Sequence, residues 1–222
     1  MPSRRLSPVT RIAVSVGIAT GLYGISFGAL GIAAGLNLWQ TQLLSLAMFA
    51  GGSQFAFLAA LPGGGISAVA AAALMGIRNS VYGAQMNAEL RPVGITRLLA
   101  AHVTIDESTA VSLAQPAPDG DRSQRHEGFW ATGWAVFVGW NVMTLVGALV
   151  TSRLDPSAWG LDGAAVAAFV ALLWPRLKNR QAWSIAALAA LATIVVTPWL
   201  PIGTPILIAA IVAGLLLSLI HI

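Results

Sequence analysis

Three charged side chains interrupt otherwise apolar stretches of this chain. Arg78 lies in the middle of an uncharged run from Ile66 to Asn87, and the adjacent acids Asp106 and Glu107 lie in the next apolar stretch. On insertion scales a charge at the centre of a membrane helix costs about 2.5–3.5 kcal/mol. Arginine does not give up its proton, so Arg78 needs an anion or water beside it. A carboxylate of the chain or of a bound substrate would meet this need.

Helical spacing groups these charges with other polar side chains. Arg78, Tyr82 and Gln85 stand at positions i, i+4 and i+7, so one face of a helix would carry all three. His102 stands four residues before Asp106 and would share its face. A histidine at this place is either a proton relay or a solvated side chain, and the residues leave both interpretations open.

A zwitterionic amino acid suits this arrangement. Its carboxylate would pair with Arg78, and its ammonium, or a proton coupled to transport, would bind Asp106 or Glu107. The alternative is a structural ion pair between Arg78 and one of the acids, which would tie two helices together. The two interpretations are equally open at this point, and the ion pair could alternate with substrate binding.

A second polar group lies in the run from 49 to 57. Gly51 and Gly52 weaken a helix, while Ser53 and Gln54 supply hydrogen-bonding groups where lipid offers none. This pattern predicts either an unwound segment that binds substrate or a Gln54 side chain bonded to a neighbouring helix.

Glycines recur at spacings of three or four residues near the start of the chain. They are Gly17, Gly21, Gly24, Gly28, Gly31 and Gly35. This spacing places all of them on one helix face. The face is either a close helix–helix contact or a surface along which a helix or substrate slides, and the pattern favours the packing contact.

Composition identifies the elements that must position these residues. The chain is 57% hydrophobic and 9% charged, whereas about a quarter of the residues of a soluble domain are charged. Its apolar runs, about 16 to 25 residues long, are typical of helices that span a membrane and not of barrel strands. The sequence therefore predicts an all-α, polytopic integral membrane protein with about seven or eight transmembrane helices.

Eight spans are predicted within a single transmembrane domain, 1–222. They are 12–36, 41–61, 65–87, 96–115, 129–151, 157–174, 181–199 and 203–220. A seven-span alternative treats the fourth as re-entrant or interfacial. The polar loop 115–128 joins two helical halves, about 1–114 and 129–222, which show no persuasive similarity to each other.

Basic residues in the loops predict the orientation. With eight spans, three basic clusters share one face, which the positive-inside rule assigns to the cytoplasm together with both termini. The clusters are Arg4, Arg5 and Arg11; Arg122 and Arg125; and Arg176, Lys178 and Arg180. The loop that holds Arg91 and Arg97 is an exception, because this count of spans places it outside.

Several enzyme signatures are missing from the sequence. It has no phosphate-binding loop of the form G-x-x-x-x-G-K-[ST], no H-E-x-x-H and no G-x-S-x-G. Cysteine is absent, which excludes disulfides and thiolate metal sites. We therefore expect no enzymatic activity, no cofactor, no metal site and no nucleic-acid partner.

Four segments in order resemble the AzlC family of branched-chain amino acid permeases. They are ISFGALGIAAGLNLWQTQLLSLAMFAGGSQFAFLA from Ile25, MGIRNSVYGAQM from Met75, HVTIDES from His102 and FVALLWPRLK from Phe169. The resemblance implies export of leucine, isoleucine, valine or related apolar amino acids across the cytoplasmic membrane. It also implies a two-component transporter whose partner is a small AzlD-type membrane protein.

The residues and the resemblance together give the predicted site. The expected substrate-binding residues are Gly51, Gly52, Gln54, Arg78, Tyr82, Gln85, Asp106 and Glu107, and the expected proton-coupling residues are His102, Asp106 and Glu107. The alternative is a non-transporting helical subunit whose charges only pair helices and recruit a partner.

Overall fold

The computed structural model describes residues 6–153, 170, 174, 177–200 and 205–220. The regular elements within these residues are helices, so the predicted all-α class is confirmed. They are α1 (Pro8–Ala33), α2 (Leu38–Ala47), α3 (Gly51–Ala60), α4 (Gly65–Leu90), α5 (Ile95–Val103), α6 (Asp106–Ala114), α7 (Ser123–Thr151), α8 (Arg180–Val196) and α9 (Pro205–Ile220). The predicted sixth span, 157–174, lies outside the described residues except at two positions.

The local sequence explains where the first helices begin. Ser7 caps α1 by accepting a hydrogen bond from the N–H of Thr10 over 3.0 Å, and Pro8 takes the first helical position. Asn37 and Gln40 each accept from the backbone N–H of the other, over 2.9 Å, which forms a capping box at the start of α2. These caps satisfy N–H groups that have no partner inside their helices.

α1 and α7 lie side by side and run in the same direction. At their starts the hydroxyl groups of Ser7 and Thr10 both donate to the Glu127 carboxylate. Further along, a Cβ on Gly24 would lie 2.5 Å from the carbonyl oxygen of Trp140. Only a residue without a side chain allows two backbones to approach this closely.

The glycine face of α1 packs closely against neighbouring helices from Gly17 to Gly31. An added Cβ would collide with α7 at Gly17, Gly21, Gly24 and Gly28, and with Thr41 of α2 at Gly31. Gly35 differs from the prediction that it also packs on this face. α1 ends at Ala33, and no described atom lies within 4 Å of a Cβ built on Gly35. Its φ of +88° instead serves the turn into α2.

The starts of α1 and α7 share one end of the bundle with the end of α4. Arg122 donates to the carbonyl oxygens of Ala88 and Glu89, over 3.2 and 3.0 Å, and Arg125 pairs with the Glu89 carboxylate at 3.0 Å. Cations suit the negative end of a helix dipole. We call this end the basic face, because it holds Arg11, Arg91, Arg97, Arg122 and Arg125. The other end, at Ala33 and Thr151, is the opposite face.

The predicted second span, 41–61, is two short helices. α2 starts at the opposite face, where Thr41 lies against Gly31 of α1. The helix stops before Phe49, whose ring lies 5.0 Å from the ring of Phe137, midway along α7. Because ten helical residues rise about 15 Å, α2 reaches only the middle of the bundle.

α3 then returns to the opposite face. It runs antiparallel to α4, so that Ser53 lies beside Gly76 and Ala60 clusters with Ala71. A short turn at 61–64 joins the two helices. α4, with 26 residues and a rise of about 39 Å, then runs from the opposite face to the basic face.

The predicted fourth span, 96–115, has the same form but starts from the basic face. α5 ends at Val103, which lies against Gly133 of α7. After a break at 104–105, α6 runs back until the Ser112 hydroxyl donates to the carbonyl oxygen of Arg125 over 2.9 Å. The chain therefore leaves this hairpin at the face from which it entered.

Two units of one design follow each other in the first half of the chain. Each unit is a helix of 26 residues followed by a broken hairpin, with halves of 10 and 10 residues in the first unit and 9 and 9 in the second. Because α4 runs against α1, the second unit is inverted relative to the first. Inverted repeats of this kind are common in secondary transporters.

These hairpins correct the predicted topology. The second and fourth predicted spans do not cross the bundle, and the count of seven or eight crossings is not confirmed. Three described helices are long and apolar enough to span a membrane: Pro8–Ala33, Ser123–Thr151 and Arg180–Trp199. The segment predicted as the loop 115–128 is helical from Ser123 onward. The loop that holds Arg91 and Arg97 shares the basic face with the other arginines, so the predicted exception disappears.

Candidate functional site

The two breaks meet midway through the bundle. Phe49 and Ile105, one from each break, belong to the same buried cluster as Trp140. The ring of Phe49 also lies 6.0 Å from the ring of His102 at the end of α5. A cavity of about 530 Å³ opens here between α2, α3, α4 and α5. Sites for small molecules commonly measure about 300–1,000 Å³.

The cavity has a polar end and an apolar end. Where the breaks meet, its walls include the side chains of Ser53, Asn79, His102 and Thr104. Toward the opposite face the wall is apolar and consists of Leu44, Ala47, Phe57, Val69, Ala72 and Ala73. A small molecule with a polar head and an apolar tail matches this distribution.

Gln54 holds the first break in place. Its side-chain Nε2 donates to the carbonyl oxygens of Met48 and Ser45, over 2.7 and 3.3 Å, while its Oε1 accepts from Nε1 of Trp140 over 2.8 Å. The side chain is completely buried. The carbonyl groups freed at the end of α2 need such partners, because lipid provides none. Gln54 therefore bonds to a neighbouring helix, which is the second of the two predicted interpretations.

Ser108 holds the second break in the same way. Its hydroxyl group donates to the carbonyl oxygen of Val103 over 2.7 Å and accepts from the N–H of Ile105 over 3.1 Å. Thr104 adds a hydroxyl bond of 2.7 Å to the carbonyl oxygen of Ala100. Each broken hairpin thus carries a buried polar side chain that satisfies backbone groups at its break.

Arg78 lies at the middle of α4 and pairs with Asp106, the first residue of α6. The distance between Nη1 and Oδ2 is 3.5 Å, and about one third of each side chain is exposed, 34% and 32%. A partly exposed ion pair contributes little net stability in water. The carboxylate also gains from the positive end of the α6 dipole. This ion pair joins α4 to the broken hairpin of its own unit.

Arg78 also touches the first turn of α3. A Cβ on Gly52 would lie 3.0 Å from Nη2 of Arg78, so the glycine leaves room for the guanidinium group. α3 begins after Ala50 without a side-chain cap. Its first N–H groups and the guanidinium group therefore place positive charge side by side. That arrangement favours an anion.

The remaining predicted residues lie around this centre. Gly51 lies against the ring of Trp140, since a Cβ there would be 3.1 Å from Cη2. Tyr82 is half-buried on α4 and Gln85 is exposed. The predicted polar face of Arg78, Tyr82 and Gln85 therefore becomes more exposed toward the end of α4. Glu107 is half-buried in the first turn of α6 and does not line the cavity.

His102 lines the cavity, and its ring contacts two aromatic rings. The ring centres of Phe49 and Phe137 lie 6.0 and 5.4 Å from it. The imidazole group is half-buried and so reaches both the cavity and the edge of the bundle. Neither of the two interpretations of His102 is decided by this position.

Sequence reasoning missed several residues at the centre, among them Asn79, Thr104, Ser108 and Trp140. Asn79 lines the cavity, and its Oδ1 atom is buried without a hydrogen-bond partner among the described residues. Its place beside Arg78 was the available signal, but a single asparagine on an apolar helix does not reveal which way it points. Trp140 was missed because only the fold brings it to Gln54. The described residues include no group of three acidic or histidine side chains arranged for a metal ion.

Comparisons with known proteins give one match. The family model described as AzlC protein matches residues 15–154, which include both units and α7. No curated protein and no solved structure shows significant similarity to the chain. The matched family is associated with the transport of branched-chain amino acids.

Proposed function

The chain belongs to the AzlC family, and from this premise we propose that it is a secondary transporter that exports branched-chain or other apolar amino acids. The observation that carries the proposal is the cavity between the two breaks. Its polar end would take the amino acid head group and its apolar end the side chain. It lies midway through the bundle, where inverted-repeat transporters bind their substrates.

Arg78 would bind the substrate carboxylate together with the free N–H groups of the first turn of α3. The guanidinium group does not line the cavity itself; it lies against Gly52, whose neighbour Ser53 does line it. In the absence of substrate it pairs with Asp106. Substrate would therefore compete with Asp106 for the guanidinium group of Arg78.

This site also supplies a coupling scheme for a proton gradient. Asp106, which pairs with Arg78 at this site, would carry the coupled proton. His102 lines the same cavity and Glu107 follows Asp106 in the chain, so both would pass protons between this site and water. Collapse of the proton gradient with an uncoupler should stop export of leucine against its concentration gradient. Unchanged efflux would refute the coupling and leave substrate binding intact.

The inverted hairpins support alternating access. One hairpin reaches the cavity from the opposite face and the other from the basic face, so movement of each would open a path to a different side. The positive-inside rule assigns the basic face to the cytoplasm, with the start of α1 on that side. The proposal includes a location in the cytoplasmic membrane as a multi-pass protein, with both termini on the cytoplasmic side.

A small AzlD-type membrane protein is the proposed second subunit. The half-exposed Arg78 and the exposed Gln85 on α4 would be poorly placed against lipid. A partner helix over this part of α4 would shield them. Co-purification of the two proteins after mild solubilisation would test the association.

The decisive experiment compares efflux by two arginine variants. Arg78→Ala should abolish efflux of leucine from cells or vesicles, because the substrate carboxylate loses its cation. Arg97→Ala is the matched control, since Arg97 is exposed at the basic face and should keep efflux close to the wild type. Membrane insertion of both variants is checked by fractionation. Full efflux by an inserted Arg78→Ala protein would refute the assignment.

The second candidate function is that of a non-transporting helical subunit. The observation that favours it is the Arg78–Asp106 ion pair itself, which already gives each charge a partner. The double variant Arg78→Asp with Asp106→Arg separates the two functions. A structural bridge should survive the exchange of charges, whereas a substrate site should lose transport. An exchanged protein that folds and still exports amino acids would contradict the proposed role of Arg78.

A further inference from the structure

The cavity is open at one end and closed at the other. Toward the opposite face, three residues of its apolar wall are exposed: Ala47, Val69 and Ala73. Toward the basic face, the cavity stops at the level of Asn79 on α4 and Ala101 on α5. α4 continues past Asn79 to Leu90, which is about three further turns. The protein between these levels decides whether the basic face has access to the cavity.

A buried apolar cluster, which we call the plug, fills these turns. Its members come from α4, α5 and α7 and are at most 7% exposed: Met86, Leu90, Ala100, Val103 and Phe129. Leu113 of α6 packs against the plug, so both helices of the second hairpin contact it. Among the described residues that line the cavity, none belongs to the plug. The plug therefore closes the path from the cavity to the basic face.

A set of charged contacts, which we call the latch, lies beyond the plug. The Glu89 carboxylate pairs with Nη1 of Arg125 at 3.0 Å and with Nε of Arg122 at 3.5 Å. Nε of Arg125 also donates to the carbonyl oxygen of Gln115, over 3.0 Å, where α6 has just ended. Glu89, Arg122 and Arg125 thus join the end of α4 and the start of α7 to the end of the second hairpin.

The burial of the latch suits contacts that break and form again. The Glu89 side chain is 14% exposed, but those of Arg122 and Arg125 are 36% and 27% exposed. Water at the basic face can hydrate these charges when the contacts break, so their loss costs less than the loss of a fully buried ion pair. The latch therefore favours the closed arrangement without making it permanent.

The second hairpin is the element that can move. Its two helices have 9 residues each and are separated by the break at 104–105. α7, in contrast, is held to α1 by the close backbone contacts at Gly17, Gly21, Gly24 and Gly28. A short hairpin held at its outer end can swing away from α4 and α7 more easily than those long helices can part.

We propose that Glu89, Arg122 and Arg125 form a latch that keeps the path from the basic face to the cavity closed. Release of the latch lets the α5–α6 hairpin move away from α4 and α7 and opens the plug. The structure is then the state whose cavity is open toward the opposite face. This inference rests on the proposed transport cycle, in which each hairpin opens a path to a different side, and it identifies the contacts that hold one path shut.

Thiol reactivity of the purified full-length protein tests the latch. The chain has no cysteine, so Met86→Cys places a single reporter in the plug. Leu30→Cys places a second reporter in a buried cluster outside the plug. With the latch intact, both thiols should react only slowly with N-ethylmaleimide. Glu89→Gln should raise the rate at Met86→Cys by about tenfold, as expected for the loss of hydrogen bonds to a charged group, and leave Leu30→Cys unchanged.

Glu127→Gln is the matched control. Glu127 is also a carboxylate at the basic face with two hydrogen-bond partners, but Ser7 and Thr10 tie it to α1 and not to the hairpin. This substitution should leave both rates unchanged. Arg125→Lys keeps the charge but loses the fork of donors that reaches Glu89 and Gln115 together. It should raise the rate at Met86→Cys in the same direction as Glu89→Gln, and it decides alone if Glu89→Gln does not fold.

The outcomes separate the latch from a structural clasp and from the proposed function. An unchanged rate at Met86→Cys in both latch variants would overturn the inference, and so would an equal rise at both reporters, which shows general loosening. A fast reaction at Met86→Cys with the latch intact would show that the plug does not close the path. The readout needs no substrate, so each of these results leaves the proposed transport standing. A selective rise at Met86→Cys in a protein that exports no amino acid would support the latch and refute the proposed function.

Discussion

Single cysteines placed at four chain positions would test the two broken hairpins. The chain contains no cysteine, so each variant carries one reactive thiol without background. The variants are Trp39→Cys, Ile66→Cys, Val93→Cys and Gln124→Cys. All four residues are exposed, the three apolar ones at 78%, 89% and 77% of their surface. They lie at the start of α2, the start of α4, just after α4 and the start of α7.

The structure assigns these positions to the two faces in pairs. α4 has 26 residues and rises about 39 Å from the opposite face to the basic face, so Ile66 and Val93 lie at different ends of the bundle. α2 rises only about 15 Å and α3 returns, so Trp39 and Ile66 share a side. The α5–α6 hairpin likewise leaves Val93 and Gln124 together.

The assay is labelling of intact cells with a membrane-impermeant maleimide, followed by labelling after lysis. Trp39→Cys and Ile66→Cys should react in intact cells to nearly the extent seen after lysis. Val93→Cys and Gln124→Cys should react almost only after lysis, because the positive-inside rule places the basic face in the cytoplasm. Labelling of one member of each pair alone would show a crossing and refute the hairpin.

The same experiment distinguishes the alternative topologies. Eight crossings would group Trp39 with Val93 and Ile66 with Gln124. A chain in which only the fourth segment is re-entrant would group Trp39, Val93 and Gln124 against Ile66. Both patterns differ from the pairs that the structure gives. If Val93→Cys and Gln124→Cys reacted in intact cells, and Trp39→Cys and Ile66→Cys only after lysis, the pairs would be kept. That result would refute only the predicted orientation in the membrane.

Three further predictions concern the contacts that position the site, and each is measured as thermal unfolding of the purified protein. Gly28→Ala should lower the free energy of unfolding by about 1–3 kcal/mol or more, because its Cβ would overlap the Thr144 carbonyl of α7. Gly83→Ala is the control and should be neutral or stabilising, since no described atom lies within 4 Å of its Cβ. Equal effects of the two substitutions would contradict the close contact between α1 and α7. Gln54→Leu should lower the free energy of unfolding by about 1–3 kcal/mol for each buried group left without a partner, namely the Met48 carbonyl and the Trp140 Nε1–H. A melting temperature equal to that of the wild type would contradict the role of Gln54 at the first break. Ser108→Ala should lower the free energy of unfolding by about 1–3 kcal/mol, because it leaves the N–H group of Ile105 at the second break unpaired. A change within about 0.5 kcal/mol, as for an ordinary surface substitution, would contradict the role of Ser108.

The charged residues of the candidate site stand out in the sequence. A permanent charge in an apolar run requires a partner wherever the helix lies, so Arg78 and the acids at 106 and 107 were visible at once. Glycine spacing likewise predicted the close face of α1, because periodicity is a local property of the helix. Family membership followed from short segments in a fixed order and is shown by the family match.

The topology could not be predicted in the same way. The run 41–61 is long and apolar enough to resemble a span, and hydropathy does not record whether a helix breaks and turns back. The run 96–115 has the length of a span but carries Arg97, Asp106 and Glu107. Gln54 and Ser108 make the breaks tolerable, but their partners are backbone groups exposed only once the chain has turned. The arginines at 91 and 97 conflicted with the eight-span count, and the glycines at 51 and 52 and the charges within 96–115 were further local signs of the breaks.

The sequence by itself determined that the protein is a helical membrane protein with charges that need partners, because composition, length and charge cost are properties of individual segments. The tertiary structure decided which groups meet. It paired Arg78 with Asp106, tied Gln54 to Trp140 and placed Asn79 on the cavity wall, across separations of 28 and 86 residues for the two pairs. Contacts at such separations depend on the direction of every helix between them, and only the folded chain specifies those directions.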